Sequence, residues 1–83
     1  MVLPRLDVDA APDYAEHVLI KLNGEPAELP GPMTITELLA HLAIDARRIA
    51  VELNLTVVKR ATFDTVTITD GDEVEIVNFV GGG

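Results

Sequence analysis

One stretch of this chain carries a helical period, and it opens with a capping signal. In Thr34-Ile35-Thr36-Glu37 the Thr34 hydroxyl can accept from an amide of the first turn, while Glu37 can reach back to the Thr34 N–H. Ile35, Leu38, Leu39 and Leu42 then fall at i, i+3, i+4 and i+7, which makes one apolar stripe. His41 lies off the stripe, and the pattern runs out near Ala43 or Ile44. On both sides of this helix the apolar residues alternate instead, the period of half-buried strands. One amphipathic helix must bury its stripe, and the flanking strands offer the surface. The chain is therefore read as α+β, with one main helix packed on one face of a mixed sheet of four to five strands.

The strands can be placed. His17-Val18-Leu19-Ile20-Lys21-Leu22 puts Val18, Ile20 and Leu22 on one face, and Asn23-Gly24 follows at once. Asn-Gly is a strong hairpin signal because both central residues of a type I′ turn need positive φ. The returning arm is Glu25 to Leu29, with Ala27 and Leu29 inward, and Pro26 confines it to an edge or a bulge. After the helix, Asp45 to Arg48 reads as a polar connection with one short turn. Ile49, Val51 and Leu53 alternate inward, Asn54-Leu55-Thr56 is a turn, Val57-Val58 restarts an extended segment, and Lys59-Arg60 is a charge pair at a sheet end. Ala61 to Val66 is a loop or short helical turn anchored by Phe63, and Thr67-Ile68-Thr69 is short and extended. Asp70-Gly71-Asp72 is a turn. Val74 to Val80 reads as a buried strand, with Val74, Ile76 and Asn78 on one face and Val77 and Phe79 on the other. The helix is long enough a crossover for the first and last strands to pair in parallel.

Composition narrows the function classes. With 83 residues a single domain is expected. A domain of this size buries roughly 60–65% of its unfolded surface. There is no cysteine, which removes disulfides, thiolate metal sites and thiol nucleophiles together. A net charge of −8 makes nucleic acid a poor partner, since phosphate binding needs a basic stripe. It suits solubility and steering toward a basic protein face, for which Asp72, Glu73 and Glu75 are the candidates. No apolar run is long enough to span a membrane, and residues 1–5 lack the pattern of a secretory signal, so a cytoplasmic protein is expected. His17 and His41 have no partners at ligand spacing and read as exposed positions, so no metal site is assigned. The acids around Gly71 lack the twelve-residue calcium loop pattern. No catalytic set stands out.

Two prolines and scattered acids leave residues 1–16 without a regular element. The expected division is a flexible extension over 1–16, a domain over 17–80 and a flexible glycine tail over 81–83. Gly81-Gly82-Gly83 packs nothing and stabilises little, but without Cβ atoms it can enter a narrow slot. A core strand that ends in bare glycines is either fraying or presenting its carboxylate.

Several landmarks coincide in order: Leu22-Asn23-Gly24-Glu25, the capped helix from Thr34 to Leu42, Ala50-Val51-Glu52-Leu53-Asn54, Val57-Val58-Lys59-Arg60, and Asp70-Gly71-Asp72-Glu73-Val74-Glu75-Ile76-Val77-Asn78-Phe79-Val80-Gly81-Gly82-Gly83. Together they resemble the ThiS family, the sulfur carriers of thiamin biosynthesis, over about His17 to Gly83. Two features depart from the family pattern: residues 1–16 are extra, and Lys59 stands where proline is expected.

The resemblance implies a ubiquitin-like β-grasp fold and a protein cosubstrate with no catalytic residue or bound cofactor of its own. It implies that an E1-like adenylyltransferase (ThiF family) uses ATP and Mg²⁺ to adenylate the Gly83 carboxylate, and that a sulfur donor protein then displaces AMP to leave a thiocarboxylate. The sulfur would pass to thiazole synthase (ThiG family). Gly81 and Gly82 would thread the tail into the partner active sites, and Phe79, Val80 and Leu55, as exposed apolar atoms near the tail, would touch the partners. The small subunit of molybdopterin synthase is the second reading; proline typically replaces the Phe79-Val80 run there. A ubiquitin-like modifier that joins Gly83 to a lysine, and a plain interaction domain, stay open.

Overall fold

The computed structural model describes residues 17–78. The expected extension over 1–16, the approach at Phe79 and Val80, and the tail over 81–83 lie outside the described residues.

The first hairpin forms as expected. Strand β1 (Val18–Leu22) turns through Asn23 and Gly24, at φ 51° and 85°, into β2 (Glu25–Leu29). Both turn residues are left-handed, so the turn twists with its strands. Val18, Ile20 and Leu29 are buried and Ala27 is half-buried, so the alternation holds in both arms. Pro26 costs no ladder hydrogen bond on a neighbour, because β2 is an edge strand.

A two-residue strand, β3 (Met33–Thr34), leads into helix α1 (Ile35–His41). The capping box is complete. Glu37 N–H donates to Thr34 Oγ1 at 3.0 Å, and Thr34 N–H donates to Glu37 Oε1 at 2.8 Å. Ile35, Leu38 and Leu39 are buried and Leu42 is half-buried, which is the stripe read from the sequence.

The helix stops at His41, two or three residues before the sequence pattern runs out. Its end is a Schellman motif. Ile44 N–H donates to Leu39 O at 2.9 Å and Ala43 N–H to Ala40 O at 3.1 Å, with Ala43 at φ 59°. Glycine normally holds this position, and an alanine Cβ is strained there. Ala43→Gly should therefore stabilise the protein by about 0.5–1 kcal/mol, raising Tm by roughly 2–8 °C. A thermal melt in which the variant unfolds earlier would show that Ala43 is not strained.

A single 3-10 turn (Ala46–Arg48), capped by Asp45, delivers the chain to β4 (Ile49–Leu53). Asn54 and Leu55, at φ 52° and 71°, turn it back into β5 (Thr56–Val58). A second 3-10 turn (Arg60–Thr62) seats Phe63 in the core. Strand β6 (Thr67–Ile68) pairs with β3 in a small separate ribbon, and β7 (Glu73–Asn78) completes the main sheet. The ribbon was not expected from the sequence, because two residues per strand are too few to show a period.

The main sheet runs β2-β1-β7-β4-β5. β1 and β7 are parallel and the other pairs antiparallel. This is the mixed five-stranded sheet with one helix of the ubiquitin-like β-grasp. Ile35, Leu38 and Leu39 from α1 meet Val18, Ile20, Ile49, Val51 and Val74 from the sheet, with Leu29, Phe63 and Ile68 closing the core. Each such side chain, fully buried, contributes about 1.5–3 kcal/mol. No buried residue among those described is polar or charged. No helix among them is long and apolar enough to cross a membrane.

Candidate functional site

The strand that leads toward the glycines is the middle one of five. On one side β4 pairs with it along its whole length, from Leu53 opposite Val74 to Ile49 opposite Asn78. On the other side β1 pairs only near the start, and Lys21 N–H donates to Asp72 O and Asn23 N–H to Val74 O. Beyond that point β1 has turned away. The Asn23 side chain takes over the ladder, accepting from Ile76 N–H at 2.7 Å and donating to Ile76 O at 3.2 Å. One asparagine thus supplies the left-handed turn and both missing hydrogen bonds.

Asn54 does the same at the other end. Its N–H donates to Glu73 O at 2.7 Å, its Oδ1 accepts from Glu73 N–H at 2.9 Å, and its Nδ2 donates to Asp72 Oδ1 at 3.0 Å. The other Asp72 oxygen accepts from Thr69 N–H at 2.8 Å, and Asp70 accepts from Leu19 N–H at 2.8 Å. The two turn asparagines therefore grip β7 at Glu73 and at Ile76, and Asn78 is a fixed point of departure. The sequence marked both asparagines as turn residues but gave no sign of these long-range bonds.

The candidate residues fare unequally. Gly81, Gly82, Gly83, Phe79 and Val80 lie outside the described residues. Leu55 is 80% exposed, but it lies at the opposite end of β7 from Asn78, the last described residue. It sits in the β4–β5 turn, two residues after Leu53, and Leu53 pairs with Val74 at the start of β7. Four residues of strand, about 13 Å, separate that level from Asn78. The antiparallel pairing of β4 and β7 is the reason: a residue after the end of β4 must lie near the beginning of β7.

The reading of β7 as buried also needs correction. α1 covers one face of the sheet, and β7 buries Val74 completely and Ile76 in part, while Val77 is 54% exposed and Glu73 and Glu75 are exposed. Among the described residues, the large exposed apolar residue nearest Asn78 is thus Val77, opposite Ala50. On the same outer face Glu75 lies opposite Glu52, which lies opposite Val57. Asp72 is engaged in its turn, so Glu73, Glu75 and Glu52 carry the negative charge of this face. On the helix side, a hollow of about 190 Å³ lined by Leu22, Asn23, Leu42, Ile44, Ile49, Ile76 and Asn78 opens beside the end of β7.

Arg47 forks onto Asp45 through Nε at 3.1 Å and a terminal nitrogen at 3.0 Å. Those bonds, with the Arg47 N–H, hold the Asp45 pKa down to about 2. His17 is bonded to Glu28 through Nδ1. Arg60 donates to the carbonyls of Ala46 and Ile49 and lies 5.7 Å from the Phe63 ring centre. Among the described residues no three His, Asp or Glu side chains are grouped so that they could hold a metal ion.

Comparisons with known proteins agree with this geometry. The sequence model of the ThiS family matches residues 20–83. A solved structure from Geobacter metallireducens, described as thiamine biosynthesis protein (ThiS), superposes with a TM-score of 0.72 at 40% identity, covering 80% of this chain and 100% of that one. The sulfur carrier protein ThiS of Bacillus subtilis is 33% identical over 66 residues, 78% of this chain and 100% of that protein. A thiazole synthase of Paramagnetospirillum magneticum is 44% identical over 62 residues. That match takes in 75% of this chain but only 19% of the synthase, so the chain spans about a fifth of that relative's length.

Proposed function

The chain belongs to the ThiS family of sulfur carriers, and from that premise we propose that its working group is the carboxylate of Gly83. An oxygen of that carboxylate attacks the α-phosphorus of ATP on an E1-like adenylyltransferase and releases pyrophosphate. The acyl-adenylate makes AMP a good leaving group, which a bare carboxylate lacks. Hydrosulfide supplied by a donor protein then attacks the acyl carbon, AMP departs, and the proton on sulfur is lost to water. The thiocarboxylate that remains is a polarisable nucleophile, and it needs no cysteine on the carrier. Catalysis, with ATP and Mg²⁺, belongs to the partners.

The observation that carries this reading is the grip on β7. The tail follows the central strand of the sheet, held by β4 on one side and by the Asn23 side chain on the other as far as Ile76. From Asn78 to Gly83 is five residues, so the carboxylate can reach at most about 17 Å from a fixed base. That distance can thread a slot in a second protein. Val77 and Ala50 at the base, with Glu73 and Glu75 beyond them, form the surface that such a protein would meet. The sulfur acceptor we propose is a thiazole synthase, because a relative of that name contains a segment like this chain.

The test is intact mass. After incubation with ATP, Mg²⁺, the adenylyltransferase and a sulfur source, the carrier should gain the difference between one sulfur and one oxygen. Adding thiazole synthase and its substrates should reverse the gain. If no gain is seen, the carrier reading fails. A gain that thiazole synthase cannot discharge would move the product to another pathway, such as molybdopterin.

A further inference from the structure

The chain is strongly acidic, yet its few cations are not scattered. Four of the six lysines and arginines are Arg47, Arg48, Lys59 and Arg60. They come from two places in the sequence, and the β4–β5 pairing brings those places together. Ile49 lies opposite Asn78, so Arg48 stands one step past the end of β7. Val51 lies opposite Val58, so the same register carries Lys59 to the level of Ala50, which lies opposite Val77. All four cations therefore gather toward the end of the sheet where β7 finishes at Asn78.

They are not equally available. Arg47 is forked onto Asp45, and Arg60 is used on the carbonyls of Ala46 and Ile49. Arg48 and Lys59 are exposed, and among the described residues neither lies within ion-pair distance of a carboxylate. Arg48 closes the 3-10 turn just before Ile49, and Lys59 follows Val58 at the end of β5, so both stand at the end of the sheet where Ile49 lies opposite Asn78. Charge is therefore graded along the sheet: Glu73, Glu75 and Glu52, with Lys21 opposite Glu73, lie toward the start of β7, Lys59 lies at the level of Val77 and Ala50, and Arg48 lies past Ile49 at the Asn78 end. Along the strand, Glu75 lies about 7 Å from the level of Lys59 and about 13 Å from the level of Arg48.

We propose that Arg48 and Lys59 orient the carrier on its adenylating enzyme by pairing with carboxylates on the rim of the slot that receives the tail. This rests on the carrier reading above. A protein with a net charge of −8 has little reason to approach an acidic rim unless its own charge is reversed locally, and here the reversal falls where the tail leaves. Complementary charge at a rim acts mainly on the rate and orientation of encounter. The Gly83 carboxylate lies five residues further on, so these two cations act on docking and not on the reacting phosphate.

Stopped-flow association with the adenylating enzyme tests this. Arg48→Glu and Lys59→Glu are compared with Lys21→Glu, an exposed cation paired in register with Glu73 at the other end of the face. All three change the net charge equally, so only position differs. Each exit variant should slow association about tenfold at low ionic strength, and the loss should shrink at high salt. Lys21→Glu should change it less than about twofold. The milder Arg48→Ala and Lys59→Ala variants should fall between, with unchanged circular dichroism. Equal rates for the exit variants and wild type, or an equal loss for Lys21→Glu, overturns the inference. Wild-type protein that supports no ATP–pyrophosphate exchange overturns the carrier reading itself.

Discussion

Leu38→Ala should remove a large share of the protein's stability. Leu38 is fully buried at the centre of a seven-residue helix, on the stripe that covers the sheet. Truncating such a leucine costs about 2–5 kcal/mol, made up of lost transfer energy and an unfilled cavity. A domain of this size has a total stability of roughly 4–12 kcal/mol. α1 has no second helix to share the load among the described elements, so the cavity would open directly between it and Val51 and Val74. Urea unfolding followed at 222 nm should show a midpoint far below wild type. His41→Ala, one turn along on the exposed side, should stay within about 0.5 kcal/mol. A loss below 1 kcal/mol for Leu38→Ala would mean that the helix–sheet contact does not hold this fold together.

The elements that could be read from the sequence are those whose signal is local. The capping box, the four-residue stripe, the Asn-Gly turn and the alternation in β1 and β4 each depend on neighbours a few residues apart, and each formed. What could not be read depends on pairing across the chain. Leu55 is apolar and exposed, but only the antiparallel register of β4 and β7 shows that it lies at the opposite end of β7 from Asn78. Val77 looked buried because its run is apolar, but one helix covers only one face. Ala43 carries no glycine signal although it occupies a glycine position, so the helix end was misplaced. The bonds from Asn23 to Ile76 span 53 residues, and nothing local to Asn23 announces them. The candidate site divides in the same way. The glycines are plain in the sequence, whereas the clamp beneath them and the cations around their exit are products of the fold.

Deleting Gly83 should have the opposite consequence to Leu38→Ala: chemistry lost and fold kept. The deletion removes no side chain and lies five residues past the last residue of β7, so the urea midpoint should be unchanged within about 0.5 kcal/mol. The new carboxylate, on Gly82, would sit one residue, about 3.5 Å, short of the phosphorus it must attack. Attack needs the reacting atoms about 3–3.5 Å apart, and a misplacement of 1 Å can already cost about a hundredfold. A tail based on a clamped strand cannot recover that length by sliding, because moving β7 by one residue would turn Val74 and Ile76 to the outer face. The substitution of sulfur for oxygen should therefore be undetectable by intact mass over a time in which wild type is fully converted. Appending one glycine to the shortened tail at its end regenerates the wild-type chain. Inserting the extra glycine before Gly81 in the full-length chain instead tests reach, and should slow conversion without abolishing it, since a longer tail can bow. If the Gly83 deletion were converted at the wild-type rate, the reactive group could not be the Gly83 carboxylate, whatever the fold beneath it.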